Sequence, residues 1–225
     1  MTIIADSLQA IQANILHAKQ VACRTDEIKL LAVSKAQSAD KLREAYMAGQ
    51  RVFGENYVQE AITKQTLLQD CKIEWHFIGP TQSNKTQLIA QHFDWVHSID
   101  RLKIASRLNE ARPEALNPLN VCIQINSSAE ASKSGVDVDS IASLAKEITG
   151  MSKLKLRGIM AIPAPTKDFA IQHTQFKMVA DTFKKLQQNF YLDTLSIGMS
   201  DDYIAAIQEG ATIVRIGSAI FGSRS

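Results

Sequence analysis

Apolar residues follow two alternating rhythms along the chain. Leu8, Ile11, Ile15, Ala18 and Ala22 recur at helical spacing, with Asp6 placed to cap the start, and predict an amphipathic helix over Asp6 to Cys23. Short apolar or β-branched runs follow at Lys29 to Ser34, Arg51 to Gly54, Glu74 to Gly79 and Asp94 to Ile99. Four more fall at Asn120 to Asn126, Leu156 to Ile162, Thr194 to Met199 and Thr212 to Gly217. Between them, Ser38 to Ala48 reads as a helix ended by Gly49, and Phe169, Phe176, Val179, Phe183 and Leu186 form one helical stripe.

Eight strands alternating with helices in 225 residues suit a closed parallel barrel, because closure leaves no edge strand to protect. The expected fold class is therefore α/β, a single (β/α)8 barrel of the TIM type with an extra N-terminal helix, in one domain over residues 1–225. The last strand is expected to lack a following helix, and the Asp6 to Cys23 helix is the candidate to cover that gap. An open doubly wound sheet is the rival, although no G-x-G-x-x-G turn follows the first strand.

Composition narrows the function classes. The 25 basic and 23 acidic residues are spread evenly, without the dense positive stripe that nucleic acid requires, so a nucleic-acid partner is not expected. No apolar run approaches the ~20 residues of a membrane span, and the first residues lack the pattern of an export signal, so no membrane association is expected. Cys23, Cys71 and Cys122 lie far apart with no C-x-x-C pair, which fits a reducing cytoplasm and neither a disulfide framework nor a zinc site. The five histidines show no H-E-x-x-H spacing, and His76 between Trp75 and Phe77 reads as a strand residue.

Ligands of a parallel barrel bind where the strands end at their carboxyl side. Lys35 follows Leu30-Leu31-Ala32-Val33-Ser34, and an amine at a water-poor mouth can lose its proton and attack a carbonyl; the alternative is a solvated lysine. Gly198-Met199-Ser200, leading into a helix at Asp201, and Arg215-Ile216-Gly217-Ser218 offer small residues with free N–H groups. Such loops hold phosphate in many barrels, and ordinary turns are the competing reading. Alternation puts Arg215 and Gly217 on one face of the last strand, where a buried arginine needs a partner: a cofactor ring nitrogen or a carboxylate such as Glu55. Met160 and Met199, near strand ends, suit core packing, while a methionine also suits the wall of an aromatic ring's pocket, the ground on which Met160 is carried as a candidate.

Four strings bind these positions together: Ala32-Val33-Ser34-Lys35, Phe53-Gly54-Glu55-Asn56-Tyr57-Val58-Gln59-Glu60, Trp75 to Lys85, and Gly198-Met199-Ser200 to Gly222. With them the chain resembles the YggS/PROSC-type pyridoxal phosphate homeostasis proteins, whose barrel is like the amino-terminal domain of alanine racemase. Thr81 departs from the pattern, standing where an apolar residue is expected. The resemblance implies pyridoxal 5′-phosphate (PLP) as cofactor, a Schiff base on Lys35, Ser200, Gly217 and Ser218 around the phosphate, and Arg215 at the pyridine nitrogen. It also implies a polar ring contact from Asn56, and Lys133 in Ser132-Lys133-Ser134-Gly135 is a further candidate contact.

The function it implies is intracellular PLP homeostasis, a cofactor carrier without robust turnover that passes PLP transiently to PLP-dependent apoenzymes. An amino-acid racemase is the alternative. In alanine racemase the base on the opposite face comes from a second domain, whereas this sequence ends at Ser225 just after its last strand; Tyr57 and Tyr203 are the substitutes to consider. With no uninterrupted apolar seam on view, a monomer is expected.

Overall fold

The computed structural model describes residues 2–127 and 135–222. The first helix, α1 (Ile3–Val21), buries Ile4, Leu8, Ile11, Ile15 and Ala18 on one stripe. Its cap is Thr2, whose hydroxyl accepts the Ala5 N–H at 3.3 Å, and Asp6 lies in the first turn instead. There the carboxylate faces the positive end of the helix dipole without capping it.

From there strand and helix alternate: β1 (Lys29–Val33), α2 (Ala39–Met47), β2 (Val52–Glu55), α3 (Val58–Leu67), β3 (Glu74–Phe77), α4 (Thr86–His92), β4 (Trp95–Ile99), α5 (Leu102–Ala111) and β5 (Leu119–Ile125). The second half continues with α6 (Ile141–Thr149), β6 (Leu154–Ala161), α7 (Phe169–Gln187), β7 (Thr194–Ser196), α8 (Tyr203–Gln208), β8 (Ile213–Ile216) and α9 (Ser218–Phe221). All eight expected strands are present. They pair in parallel, each with the next, and β8 closes on β1 through the register Lys29↔Ile213, Leu31↔Arg215 and Ala32↔Ile216. The result is a (β/α)8 barrel of the TIM type.

Two expectations about helices need correction. A helix does follow β8, though it is only four residues long, and α1 packs against α2, α8 and α9 to cover the remaining gap. Arg24 ties its end down, donating from Nη1 to the Ile207 and Ala211 carbonyls at 2.8 Å each. On α7 the apolar stripe fails at its first member: Phe169 is half exposed and packs edge-on to His173 one turn further along the same helix. Gln172 is buried in its place and reaches Thr166 O at 2.8 Å and Asp201 O at 3.3 Å.

The main apolar core lies between the strands' outer faces and the helices, where Phe53, Phe77, Val96, Ile123, Ile159 and Val214 meet the helix stripes. The inside of the barrel differs in kind. It holds Trp95, Cys122 and Met160 as a small separate cluster, beside the fully buried His76, His97 and Ser196 and the nearly buried Arg215.

Candidate functional site

A cavity of about 380 Å³ opens at the carboxyl ends of the strands, within the range of small-molecule sites. Lys35, Asn56, Ser200, Arg215, Gly217 and Ser218 all line it. Of the residues singled out from the sequence, Met160 is not on the cavity wall; its side chain packs inside the barrel with Trp95 and Cys122. Met199, set aside for the core, lines the cavity instead. Lys133 lies outside the described residues.

Lys35 follows β1 on a turn that is held from below. Lys64, buried on α3, donates from Nζ to the Ser34 carbonyl at 2.7 Å, to Glu55 Oε1 at 2.7 Å and to Glu60 Oε1 at 2.6 Å. Ser34 Oγ donates to the same Glu55 oxygen at 2.6 Å. Ala36, the residue after Lys35, has φ 59°, a left-handed conformation that costs a residue with a Cβ, and its N–H is fixed by Glu60 Oε1 at 2.6 Å. Burial pushes the Glu55 carboxyl above its ordinary range, against the pull of Lys64. Glu55 is thus the partner of Lys64 and not, as the sequence allowed, of Arg215.

Asn56, just past β2, sits against the chain at Gly79, where a Cβ would come within 2.3 Å of the Asn56 carbonyl oxygen. Only a glycine lets the two loops approach so closely. The Asn56 Oδ1 atom is buried with no hydrogen-bond partner, an acceptor in want of a donor. Thr81, the departure from the family string, is buried and pairs with Ser98 Oγ at 2.9 Å, which itself donates to the Gly79 carbonyl at 2.6 Å. A hydroxyl there supports the same loop.

The loops after β7 and β8 meet at Ser200 and Ser218, whose Oγ atoms lie 3.2 Å apart. Gly198 has φ 92°, and a Cβ on it would lie 2.6 Å from Ala206, so the loop is closed to other residues at that point. Asp202 Oδ1 accepts the Met199 N–H at 2.5 Å and fixes the turn. Among the described residues, the N–H groups of Ser200, Ser218 and Ala219 have no acceptor. Two hydroxyls and several free N–H groups converging on one place make a cradle for an anion.

Arg215 forms the floor. It donates from Nη1 to the Ser196 carbonyl at 2.5 Å and Ser196 Oγ at 2.9 Å, and from Nη2 to the Ala161 carbonyl at 3.0 Å. Burial draws its pKa down to about 10, so it remains a cation at neutral pH. Amine, guanidinium, unpaired amide oxygen and free N–H donors thus share one small cavity, and the fold and site define a parallel barrel able to take a small anionic ligand with a carbonyl for the amine to meet.

Relatedness agrees with that class. The family model described as the N-terminal domain of alanine racemase matches residues 7–225. A pyridoxal phosphate homeostasis protein from Pseudomonas aeruginosa is 54% identical over all of this chain and 97% of its own length. The chain belongs to the pyridoxal phosphate homeostasis protein family. PipY of Synechococcus elongatus, solved with PLP bound, superposes with a TM-score of 0.86 at 34% identity, covering 97% of this chain and all of PipY. The alanine racemase of Corynebacterium glutamicum shares the fold alone, at 20% identity and a TM-score of 0.68 over 61% of its length.

Gln37 and Asp201 also reach the cavity and were not singled out beforehand. Asp201 stood in the sequence only as a helix start; Gln37 carried no signal, since its burial follows from the left-handed turn at Ala36.

Proposed function

We propose that this protein binds PLP at the cavity and serves intracellular PLP homeostasis as a carrier, with Lys35 as its covalent anchor. The observation that carries the reading is the meeting of the Lys35 amine, the Arg215 guanidinium and the Ser200, Gly217 and Ser218 cradle on one wall. PipY, its relative solved with PLP, supports it.

The residues fit the cofactor group by group. The cradle suits a phosphate dianion; Asn56 Oδ1 offers an acceptor beside the ring; Arg215 suits the ring nitrogen. When bound, the cofactor supplies an aldehyde for an amine to capture and an aromatic ring that draws electrons. Arg215 donates a hydrogen bond without surrendering its proton, so the ring stays the weaker electron sink that a carrier needs. Lys64 and Glu60 hold the turn so that Lys35 faces the cavity at a constant reach.

A racemase needs a second acid or base across the substrate carbon. Among the described residues the titratable side chains on the cavity wall are Lys35, Asp201 and Arg215, and Asp201 is exposed next to Ser200 on the cradle side; Tyr57 is exposed at the start of α3 and Tyr203 is buried beside Gly198. This favours the carrier. On the same reading the chain acts in the cytoplasm as a one-domain monomer and hands PLP transiently to PLP-dependent apoenzymes; no helix among the described residues is long and apolar enough to cross a membrane.

The deciding experiment is the visible spectrum of the protein with PLP, before and after borohydride, beside Lys35→Ala and with D- or L-alanine added. The carrier reading expects a yellow band, fixed to the chain by reduction only when Lys35 is present, and no interconversion of alanine. A protein that keeps no band once free PLP has been removed by desalting overturns the cofactor, and sustained interconversion restores the racemase.

A further inference from the structure

A file of hydrogen bonds runs through the barrel from its far end to the cavity floor. At the amino-terminal mouth Lys29 Nζ donates to Glu74 Oε1 at 2.8 Å. The same oxygen lies 2.7 Å from His76 Nε2, His76 Nδ1 lies 2.8 Å from His97 Nε2, and His97 Nδ1 lies 2.8 Å from Ser196 Oγ. Arg215 Nη1 ends the file, 2.9 Å from Ser196 Oγ. The step from β4 to β7 joins strands that are not neighbours, so it crosses the barrel interior.

The charges at the two ends settle every proton between them. The hydrogen bond with His76, joined by Lys29, holds the Glu74 carboxyl down at about 2, so at neutral pH it only accepts. His76 Nε2 must therefore carry a hydrogen. Burial drives the His76 pKa to about 4 and His97 well below its ordinary value, so both rings are neutral. His76 Nδ1 is then bare and accepts from His97 Nε2–H; His97 Nδ1 is bare in turn and accepts from the Ser196 hydroxyl. The serine oxygen, its hydrogen committed, turns a lone pair to Arg215. All donors point from the cation to the anion, and their dipoles add.

We propose that Glu74, His76, His97 and Ser196 are positioning residues for Arg215, a tautomer-locked file by which a carboxylate at one mouth of the barrel orients the guanidinium at the other. Nη1 is spent on Ser196 and one Nη2 hydrogen on Ala161, which leaves Nε and the second Nη2 hydrogen for a ligand in the cavity. This rests on the proposal that Arg215 meets the cofactor's ring nitrogen. The other charged or titratable groups facing the file are Lys29 on β1, Asp94 before β4, Cys122 on β5, Arg157 on β6, Asp193 before β7 and Asp202 before α8.

Nuclear magnetic resonance of the unliganded protein with 15N-labelled histidine reads the file directly. His76 and His97 are expected as Nε2–H tautomers from about pH 8 to about pH 5.5. In Glu74→Gln the amide both donates and accepts, the lock is lost, and mixed tautomers are expected at both rings. PLP affinity should fall about tenfold, the usual cost of misplacing one charged hydrogen bond, while Lys35 still captures the cofactor. Ser196→Ala should lose affinity similarly yet leave the His76 tautomer unchanged, a split that a merely structural role would not produce. An Nδ1–H tautomer at either ring of the wild-type protein, or unchanged affinity in both variants, overturns the proposal. Failure of the wild-type protein to take up PLP would sink the cofactor reading instead, and the labelled spectra, needing no ligand, tell the two failures apart.

Discussion

Two neutral histidines sealed inside the barrel make stability depend on acidity. Unfolding releases His76 from a pKa of about 4 to its ordinary 6.5, so between those values the unfolded chain binds the extra proton. Stability from this group is complete above about pH 6.5 and is lost as the pH falls towards 4, worth about 3 kcal/mol for His76. His97, held lower by burial and by its neighbours His76 and Arg215, adds to the loss over the same window. The melting temperature should drop steeply from about pH 6.5 to about pH 4, and a flat profile would show that the rings are solvated or charged in the native state. Of this file the sequence showed only His76 as a strand residue and Arg215 as a buried arginine in need of a partner; the partners themselves were not legible. Glu74, His76, His97, Ser196 and Arg215 stand on four strands, and only closure of the barrel brings β4 across to β7.

At the scale of elements, β1 is joined to α3 by charge. Lys64 is buried under the Ser34 carbonyl and answers two carboxylates, so its removal strands Glu55 in the interior. Lys64→Met should cost about 3–5 kcal/mol in urea unfolding, and adding Glu55→Gln should return part of it, because the neutral amide no longer demands a cation. If the single and double variants unfold alike, the pair is not coupled. The helix that carries Lys64 was open to reading only as a gap between strands, whereas Lys35 ended a clear apolar run and sits where that run pointed. Where a residue's role depends on its own strand's alternation, the pattern displays it; where it depends on a neighbour's reach, the pattern is silent. Met160 belongs to the second kind, its place near a strand end saying nothing of the Trp95 ring that receives it.

For the whole molecule, the stripe of α1 together with the four-residue α9 covers the barrel beside β8. Leu8, only 1% exposed, is the centre of that seal. Leu8→Ala should destabilise the protein by about 2–5 kcal/mol in urea, through lost burial and the cavity left behind. A cost under about 1 kcal/mol would mean that α1 is a loose cover and not part of the core. The eight strands, their order and their closure were readable because each run has its own turn and a parallel barrel admits one simple winding.

That winding sets a timetable for the site. Lys35 lies just past the first strand, while Ser200 and Ser218 lie beside the last two, and they share a wall only because β8 pairs with β1. During synthesis the ribosome releases the amine early and the cradle near the end. On the proposed reading, a half-made chain would offer the lysine but no seat for a phosphate, and retention of PLP would mark a chain in which the first and last strands have found each other.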